Sequence, residues 1–107
     1  MNNNVDTNLD TLDHVALVVD NIEETVNWYI EKFNCQVTYQ DSTWAMLKFA
    51  NMSLAFVIPQ EHPAHISIER NDANHFGKLK THRDGSQSCY IADPSKNTIE
   101  ISQKLSS

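Results

Sequence analysis

Two histidines and one glutamate, far apart in the chain, have the side chains of a divalent-metal site. His14, His65 and Glu100 each lie in the middle of a segment that we predict to be a β-strand. The opposite face of each strand is aliphatic, because side chains alternate between the two faces. If the aliphatic faces pack on helices, the polar faces line a shared concavity. Two imidazoles and one carboxylate converging there would bind a divalent metal and leave coordination positions open for substrate or O₂.

The positions of the histidines along the chain support this hypothesis. A lone histidine on a strand more often has a structural role, and the sequence has no His-x-x-x-His pattern. However, His14 and His65 are 51 residues apart (65 − 14) and occupy the same place in two similar segments. Aligning residues 51–56 with residues 96–101 then places Ala55 opposite Glu100. The sequence therefore indicates two diverged copies of one unit, of which the second is the shorter.

The elements that position these residues are predicted from hydrophobic periodicity. Strand 12–19 precedes an amphipathic helix that begins after Asp20 or Asn21 and ends at Asn34. One face of this helix carries the apolar residues Ile22, Val26, Tyr29, Ile30 and Phe33. The remaining predicted elements are strands at 35–41, 44–49 and 52–58, then a strand at 65–70, a short helix from Asn71 or Asp72 to about His82, and strands at 86–91 and 98–102.

Length and composition indicate one small intracellular domain. The chain has 107 residues and a net charge of −6, and an acidic balance disfavours nucleic acids and anionic membranes as partners. No apolar run reaches the length that spans a bilayer. Residues 1–11 lack the features of a secretory signal and are predicted to form a disordered tail before a single domain at 12–103. We therefore expect a cytoplasmic protein in which Cys35 and Cys89 are reduced thiols.

Four segments resemble the superfamily of glyoxalases, bleomycin-resistance proteins and extradiol dioxygenases, also called vicinal oxygen chelate proteins. They are Leu-Asp-His-Val-Ala-Leu-Val-Val at 12–19, Trp-Tyr-Ile-Glu-Lys-Phe-Asn at 28–34, Ala-His-Ile-Ser-Ile-Glu at 64–69 and Tyr-Ile-Ala-Asp-Pro-Ser-Lys-Asn-Thr-Ile-Glu-Ile at 90–101. The resemblance covers about residues 11–103. It implies an α+β fold in which two βαβββ-type units, here about 12–59 and 64–103, pair into a cupped mixed sheet with helices on the outer face. A homodimer is also expected from this resemblance.

The resemblance implies metal ligands that match His14, His65 and Glu100, with Fe, Mn, Ni or Zn as the divalent metal. Glyoxalase I-like members carry a fourth ligand, a Glu, where this chain has Ala55, and the Gly usual in the Asp-Pro turn is Lys96. The expected function is a metal-dependent dioxygenase, lyase or isomerase that acts on a small oxygen-bearing organic molecule. The alternative is a metal-free protein of the bleomycin-resistance type that binds and sequesters its ligand.

Further side chains, on the strands and between them, have chemistry that suits such a site. Glu69 is a candidate general base or a solvated strand-end residue, and Tyr90, His75 and His82 are acid–base candidates by chemistry alone. His62 is expected to be exposed in the linker between the units. The predicted substrate-binding residues are Thr38, Trp44, Met46 and Lys48, which offer an aromatic wall, a thioether and a cation, or alternatively fill space and contact solvent.

Overall fold

The computed structural model describes residues 9–105 and has one α-helix, one short 3-10 turn and eight strands in that range. The strands are β1 (Thr11–Val18), β2 (Gln36–Gln40), β3 (Trp44–Lys48), β4 (Ser53–Val57), β5 (His65–Arg70), β6 (Lys80–Thr81), β7 (Gln87–Ala92) and β8 (Thr98–Gln103). The helix α1 spans Ile22–Lys32 and the 3-10 turn spans Ala73–His75. Within the described range, no helix is long and apolar enough to cross a membrane.

All eight strands form one curled mixed sheet in the order β2-β3-β4-β1-β5-β8-β7-β6. In each half the first strand pairs in parallel with the last, β1 with β4 and β5 with β8. The halves join through the antiparallel pair β1–β5, in which His14 faces Ser67 and Ala16 faces His65. His14 is equivalent to His65 and Ala16 to Ser67, so these two pairs are reciprocal and the halves are related by a local two-fold axis. The predicted α+β fold of two paired units is confirmed.

The register of the sheet also agrees with the repeat alignment made from the sequence. Glu100 pairs with Ser67, the residue two positions after His65. Ala55 pairs with Ala16, the residue two positions after His14. Ala55 and Glu100 therefore occupy equivalent places in the two halves.

Helix α1 covers the convex face of the first half. Asn21 caps it, because its side-chain oxygen accepts a hydrogen bond from the Glu24 amide at 2.8 Å. Ile22 and Val26 are buried against strand residues such as Leu47 and Phe56. The predicted apolar stripe is buried only in part, since Ile30 and Phe33 remain 42% and 50% exposed. The helix ends before the predicted position because Phe33 already has an extended backbone.

The second half has no comparable helix within the described range. The short helix predicted to run to about His82 is reduced to the 3-10 turn, whose Ala73 packs on Cys89 and Ile101. The following residues instead form a hairpin, in which β6 pairs with β7. Gly85 has φ +90° and allows the turn of this hairpin.

The predicted tail falls mostly on residues 1–8, which lie outside the described range. Asp10 lies within it and accepts hydrogen bonds from the Arg70 guanidinium at 2.9 and 3.1 Å. The strand β1 begins at the next residue, Thr11.

Candidate metal centre

His14, His65 and Glu100 meet on the concave face of the sheet. In the sheet register Ser67 lies between His14 and Glu100, and its small buried side chain leaves room for the larger ones on either side. Glu100 Oε1 is 3.0 Å from His14 Nε2 and 3.3 Å from His65 Nε2. One nitrogen or oxygen atom from each of the three side chains lies within 4.8 Å of the others. All three residues are buried and belong to one chain.

The outer nitrogen of each ring has a partner that orients the imidazole. His65 Nδ1 is 2.8 Å from the Pro63 carbonyl oxygen, which can only accept, so Nδ1 carries the hydrogen. His14 Nδ1 is 2.7 Å from an Asp13 carboxylate oxygen. An irregularity in the β1–β5 register next to Asp13 allows consecutive side chains to meet in this way. In the neutral form, both rings therefore carry their hydrogen on Nδ1 and leave Nε2, the nitrogen nearer Glu100, free to bind a cation, which is the arrangement of metal-ligating histidines.

The charges of the three groups are strongly linked. Burial alone would lower the pKa of His14, but the carboxylates of Asp13 and Glu100 beside its ring outweigh this and raise the pKa to about 9. Burial would raise the pKa of Glu100, yet the nearby histidines and the Ser88 hydroxyl hold that pKa far below its usual range. Without a metal, His14 is therefore a cation at neutral pH and Glu100 an anion.

One oxygen of Glu100 lacks a hydrogen bond. Among residues 9–105, Oε1 is a buried side-chain oxygen with no assigned hydrogen bond, although an imidazole nitrogen of His14 and of His65 lies within 3.3 Å. Native proteins rarely leave a buried carboxylate oxygen in this state. An acceptor oxygen facing two imidazole nitrogens, with no donor aligned on it, has the chemistry of a cation ligand.

The second oxygen of Glu100 is hydrogen bonded. Ser88 Oγ, on β7, donates to Oε2 at 2.6 Å. His82 Nε2 lies 2.6 Å from Ser88 Oγ and 3.6 Å from Oε2. The sequence identifies His82 only as an acid–base candidate by chemistry, and it gives no signal for Ser88, because a serine on a polar strand face is ordinary.

A cavity of about 360 Å³ opens above the three residues. Trp44, Met46 and Val57 line it from the first half, and His62 and Tyr90 line it from the second half and the linker. His62, expected to be exposed, instead stacks on Tyr90 with ring centroids 5.9 Å apart.

The β6–β7 hairpin covers one side of this cavity, which residues 80–84 and Ser86 line. Arg83 fixes the hairpin to the first half through Asp41 at 2.9 Å and Thr43 at 2.7 Å. It also contacts Glu61 in the linker at 3.3 Å. These contacts join residues more than 20 positions apart and hold His82 near Ser88.

The other predicted site residues are distributed as follows. Trp44 and Met46 line the cavity, and so does Tyr90, whose pKa is raised by burial and by the charge of Glu100. Thr38 and Lys48 are exposed on β2 and β3, outside the cavity lining. Two others lie elsewhere: Glu69 is partly buried on β5, and His75 is exposed beside Asp72.

Two solved structures that superpose with TM-scores above 0.5 share this fold. A hypothetical protein from Bacillus halodurans C-125 superposes with a TM-score of 0.73 at 14% identity, over 92% of this chain and 96% of its own. The NAD-dependent benzaldehyde dehydrogenase from Legionella pneumophila superposes with a TM-score of 0.64 at 15% identity, over 86% and 98%. For the lactoylglutathione lyase from Agrobacterium tumefaciens the TM-score is 0.45 at 19% identity, over 85% and 91%. Likeness at this level of identity concerns the fold alone.

No curated protein matches the sequence. The family model described as Glyoxalase/Bleomycin resistance protein/Dioxygenase superfamily matches residues 11–101, which include all three residues of the candidate centre. The chain belongs to the glyoxalase/bleomycin resistance protein/dioxygenase superfamily.

Proposed function

We propose that this protein is a divalent-metal-dependent enzyme that acts on a small oxygen-bearing organic molecule. His14, His65 and Glu100 would hold the metal, which is Fe, Mn, Ni or Zn. The reaction would be of the dioxygenase, lyase or isomerase type. These reaction types share a requirement for a cation with positions open to substrate oxygens.

A single observation carries this proposal. Glu100 Oε1 is buried, faces two oriented imidazole nitrogens at 3.0 and 3.3 Å, and has no hydrogen bond within residues 9–105. A structural salt bridge would satisfy this oxygen with an aligned donor. A cation between the three atoms would satisfy it and both nitrogens together.

When bound, a divalent metal supplies a Lewis acid for neighbouring substrate oxygens. The chain's own residues would confine the substrate beside it. Trp44 and Met46 form one wall of the cavity, while His62 and Tyr90 form another. The Arg83 contacts hold the hairpin over the cavity and thereby restrict the entry of water. A volume of about 360 Å³ suits a small ligand.

The alternative is a metal-free binding protein, and one observation favours it. With its pKa raised to about 9, His14 is a cation that pairs with Glu100 and Asp13 without any metal. The buried charges are thus balanced in the metal-free chain. In this case the cavity would bind its ligand without chemistry.

Metal titration of the chelator-treated protein distinguishes the two functions. Calorimetry with Mn²⁺, Ni²⁺ and Zn²⁺ should give one strong site per chain, and His65→Ala should abolish it. The matched control is His75→Ala, because His75 is 72% exposed in its side chain and lies outside the cavity. It should bind as the wild type does.

Two results would contradict the enzyme hypothesis at different points. Equal binding by wild type and His65→Ala would mean that the metal binds elsewhere. A wild type that binds no metal, yet gains thermal stability from small organic ligands, would favour the sequestering protein.

A further inference from the structure

The two oxygens of Glu100 have different surroundings. Oε1 faces His14 and His65 and has no hydrogen-bond partner within the described part of the chain. Oε2 is turned toward Ser88 on the neighbouring strand β7. A carboxylate can bind a cation through one oxygen or through both. The contacts of Oε2 therefore bear on how Glu100 would bind the proposed metal.

The direction of the hydrogen bonds at Oε2 follows from the chemistry of the partners. A carboxylate that binds a metal is ionised, and its oxygens can only accept. The single hydroxyl hydrogen of Ser88 therefore points to Oε2 at 2.6 Å. Ser88 Oγ then accepts from His82 Nε2, which lies 2.6 Å away and must carry a hydrogen. Two donors in series thus lead from His82 to Oε2.

Rotation of Glu100 would break this chain of donors. To bind a cation through both oxygens, Oε2 would have to leave Ser88, whose side chain is buried at 1% exposure. A buried hydroxyl without an acceptor is unfavourable, and a hydrogen bond to a charged oxygen is stronger than one between neutral groups. The hydrogen bonds therefore favour the orientation in which Oε1 alone faces the histidines.

His82 belongs to the hairpin rather than to the sheet core. Its neighbour Arg83 connects the hairpin to Asp41 and Thr43 in the first half. Asp41 in turn accepts hydrogen bonds from the amides of Thr43 and Trp44, so the contact ends on a turn that is itself hydrogen bonded. The outer donor of the series is thus held by contacts that span the cavity.

We propose that Ser88 and His82 are positioning residues that keep Glu100 a one-oxygen ligand of the metal. This inference rests on the proposed metal-dependent function. Two imidazole nitrogens and one carboxylate oxygen would then occupy three positions of an octahedral ion and leave about three for water or substrate. Without the two donors, Glu100 would bind through both oxygens and close one of the open positions.

Mn²⁺ alone is the probe for this inference. Electron paramagnetic resonance in ¹⁷O-enriched water counts the waters on bound Mn²⁺, and a titration of the same sample gives its affinity. We expect about three coordinated waters in the wild type and about two in Ser88→Ala, with severalfold tighter binding in the variant. Ser88→Thr keeps the hydroxyl and should restore the wild-type values. His82→Gln keeps a donor near Ser88 and should change less than His82→Phe.

Ser102→Ala is the matched control. Ser102 is on β8, two residues from Glu100, and its hydroxyl bonds to Ser67 at 2.6 Å rather than to Glu100. This variant should keep the wild-type water count. If Ser88→Ala does not fold, Ser88→Cys keeps the size of the side chain with a weaker donor and should also lose one water.

The outcomes separate this inference from the function on which it rests. Mn²⁺ bound with the same water count in wild type, Ser88→Ala and His82→Phe would overturn the positioning role and leave the metal site in place. A wild type without Mn²⁺ affinity would overturn both.

Discussion

The two halves of the sheet have the same strand connections but contribute differently to the candidate site. The second half supplies Glu100, Ser88 and Tyr90, all polar, around the histidines. At the equivalent register positions, the first half has Ala55, Trp44 and Met46. Only the histidine positions keep the same residue type, His14 and His65. The comparison indicates that each half contributes one histidine, whereas the other polar side chains around the two rings come mainly from the second half.

On the convex face of the sheet, the first half has the larger covering element. The first half is covered by α1, an eleven-residue helix with Ile22 and Val26 buried. The second half has only the three-residue turn Ala73–His75 in that place. The chain between this turn and β7 forms the hairpin that reaches the cavity instead. A shorter helix in the second half is thus accompanied by a hairpin that delivers His82 and Arg83 to the site.

The largest expected effect comes from moving the carboxylate from one half to the other. Glu100→Ala should weaken divalent-metal binding by well over about 100-fold, because it removes a direct ligand. Removing a residue that only hydrogen-bonds to a ligand typically costs roughly 10–100-fold in metal affinity. The double variant Ala55→Glu/Glu100→Ala should recover part of this loss, since Ala55 and Glu100 are equivalent by register. Recovery should be incomplete, because Trp44 stands where Ser88 would support the new carboxylate. Calorimetry with Ni²⁺ measures each step.

The single variant Ala55→Glu completes this test. In the presence of metal, a second carboxylate at the cavity should tighten Ni²⁺ or Mn²⁺ binding. In the absence of metal, the introduced carboxylate would be partly buried without a partner and should destabilise the fold by a few kcal/mol. Equal losses of melting temperature with and without metal would mean that no metal binds at His14, His65 and Glu100.

The next effect concerns the different partners of the two histidines. His14 bonds to the Asp13 carboxylate, whereas His65 bonds to the Pro63 carbonyl. The pKa of His14 is raised from 6.5 to about 9, so its protonation stabilises the folded metal-free protein. This stabilisation is complete below pH 6.5 and is lost as the pH rises through 9. It amounts to at most about 3 kcal/mol.

Urea unfolding of the metal-free protein at about pH 6.5 and about pH 9.5 measures this loss. Asp13→Asn keeps the acceptor without its charge and should reduce the pH dependence, and His14→Gln should remove that contribution. A wild-type slope in His14→Gln would assign the effect to other groups. Because a metal must displace the His14 proton, metal affinity should also fall by about tenfold for each pH unit below about 9. With an unperturbed histidine pKa, the decrease in metal affinity would begin only below about pH 6.5.

Much of the fold, and the meeting of His14, His65 and Glu100 on one face of the sheet, could be predicted from the sequence. Alternation assigns each strand residue to a face, and the repeat alignment relates Ala55 to Glu100 before any coordinates are known. Alternation does not give position along a face. Lys48 and Met46 point to the same side of β3, yet of these two only Met46 lines the cavity.

The residues that complete the site could not be predicted in this way. His62 and His82 lie in connections whose paths depend on tertiary contacts such as Arg83–Asp41. Contacts between distant loops leave no periodic pattern. The short helix predicted to run to about His82 fails for a related reason, because the hairpin pairing of β6 with β7 replaces it.

A smaller effect tests how far α1 supports the first half. Val26 is 2% exposed, and Val26→Ala should lower the free energy of unfolding by about 1–3 kcal/mol. Phe33 is 50% exposed at the end of the same helix, and Phe33→Ala should cost less than about 1 kcal/mol. Urea denaturation gives both values. A larger loss of unfolding free energy in Phe33→Ala would mean that the buried face of α1 continues to the end of the helix.

The smallest expected effect distinguishes the turns that lead into the last strand of each half. Between β3 and β4 the connection is short, with the Phe49 amide bonded to the Met52 carbonyl at 3.0 Å. Between β7 and β8, Asp93 accepts hydrogen bonds from the amides of Ser95 and Asn97, and Lys96 has φ +68°. A lysine in this left-handed region is strained, whereas glycine adopts it without a steric cost.

Lys96→Gly should therefore stabilise the protein, by about 0.5–1 kcal/mol after the greater freedom of glycine in the unfolded chain is included. Lys96→Asn should give part of this gain, because asparagine tolerates the same region. The exposed Lys78 provides the control, since Lys78→Gly removes an equal charge at a residue without positive φ. Thermal unfolding of the three variants compares them directly. If Lys96→Gly and Lys78→Gly lose stability equally, the Asp93 hydrogen bonds alone determine this turn, and the strain at Lys96 has no energetic consequence.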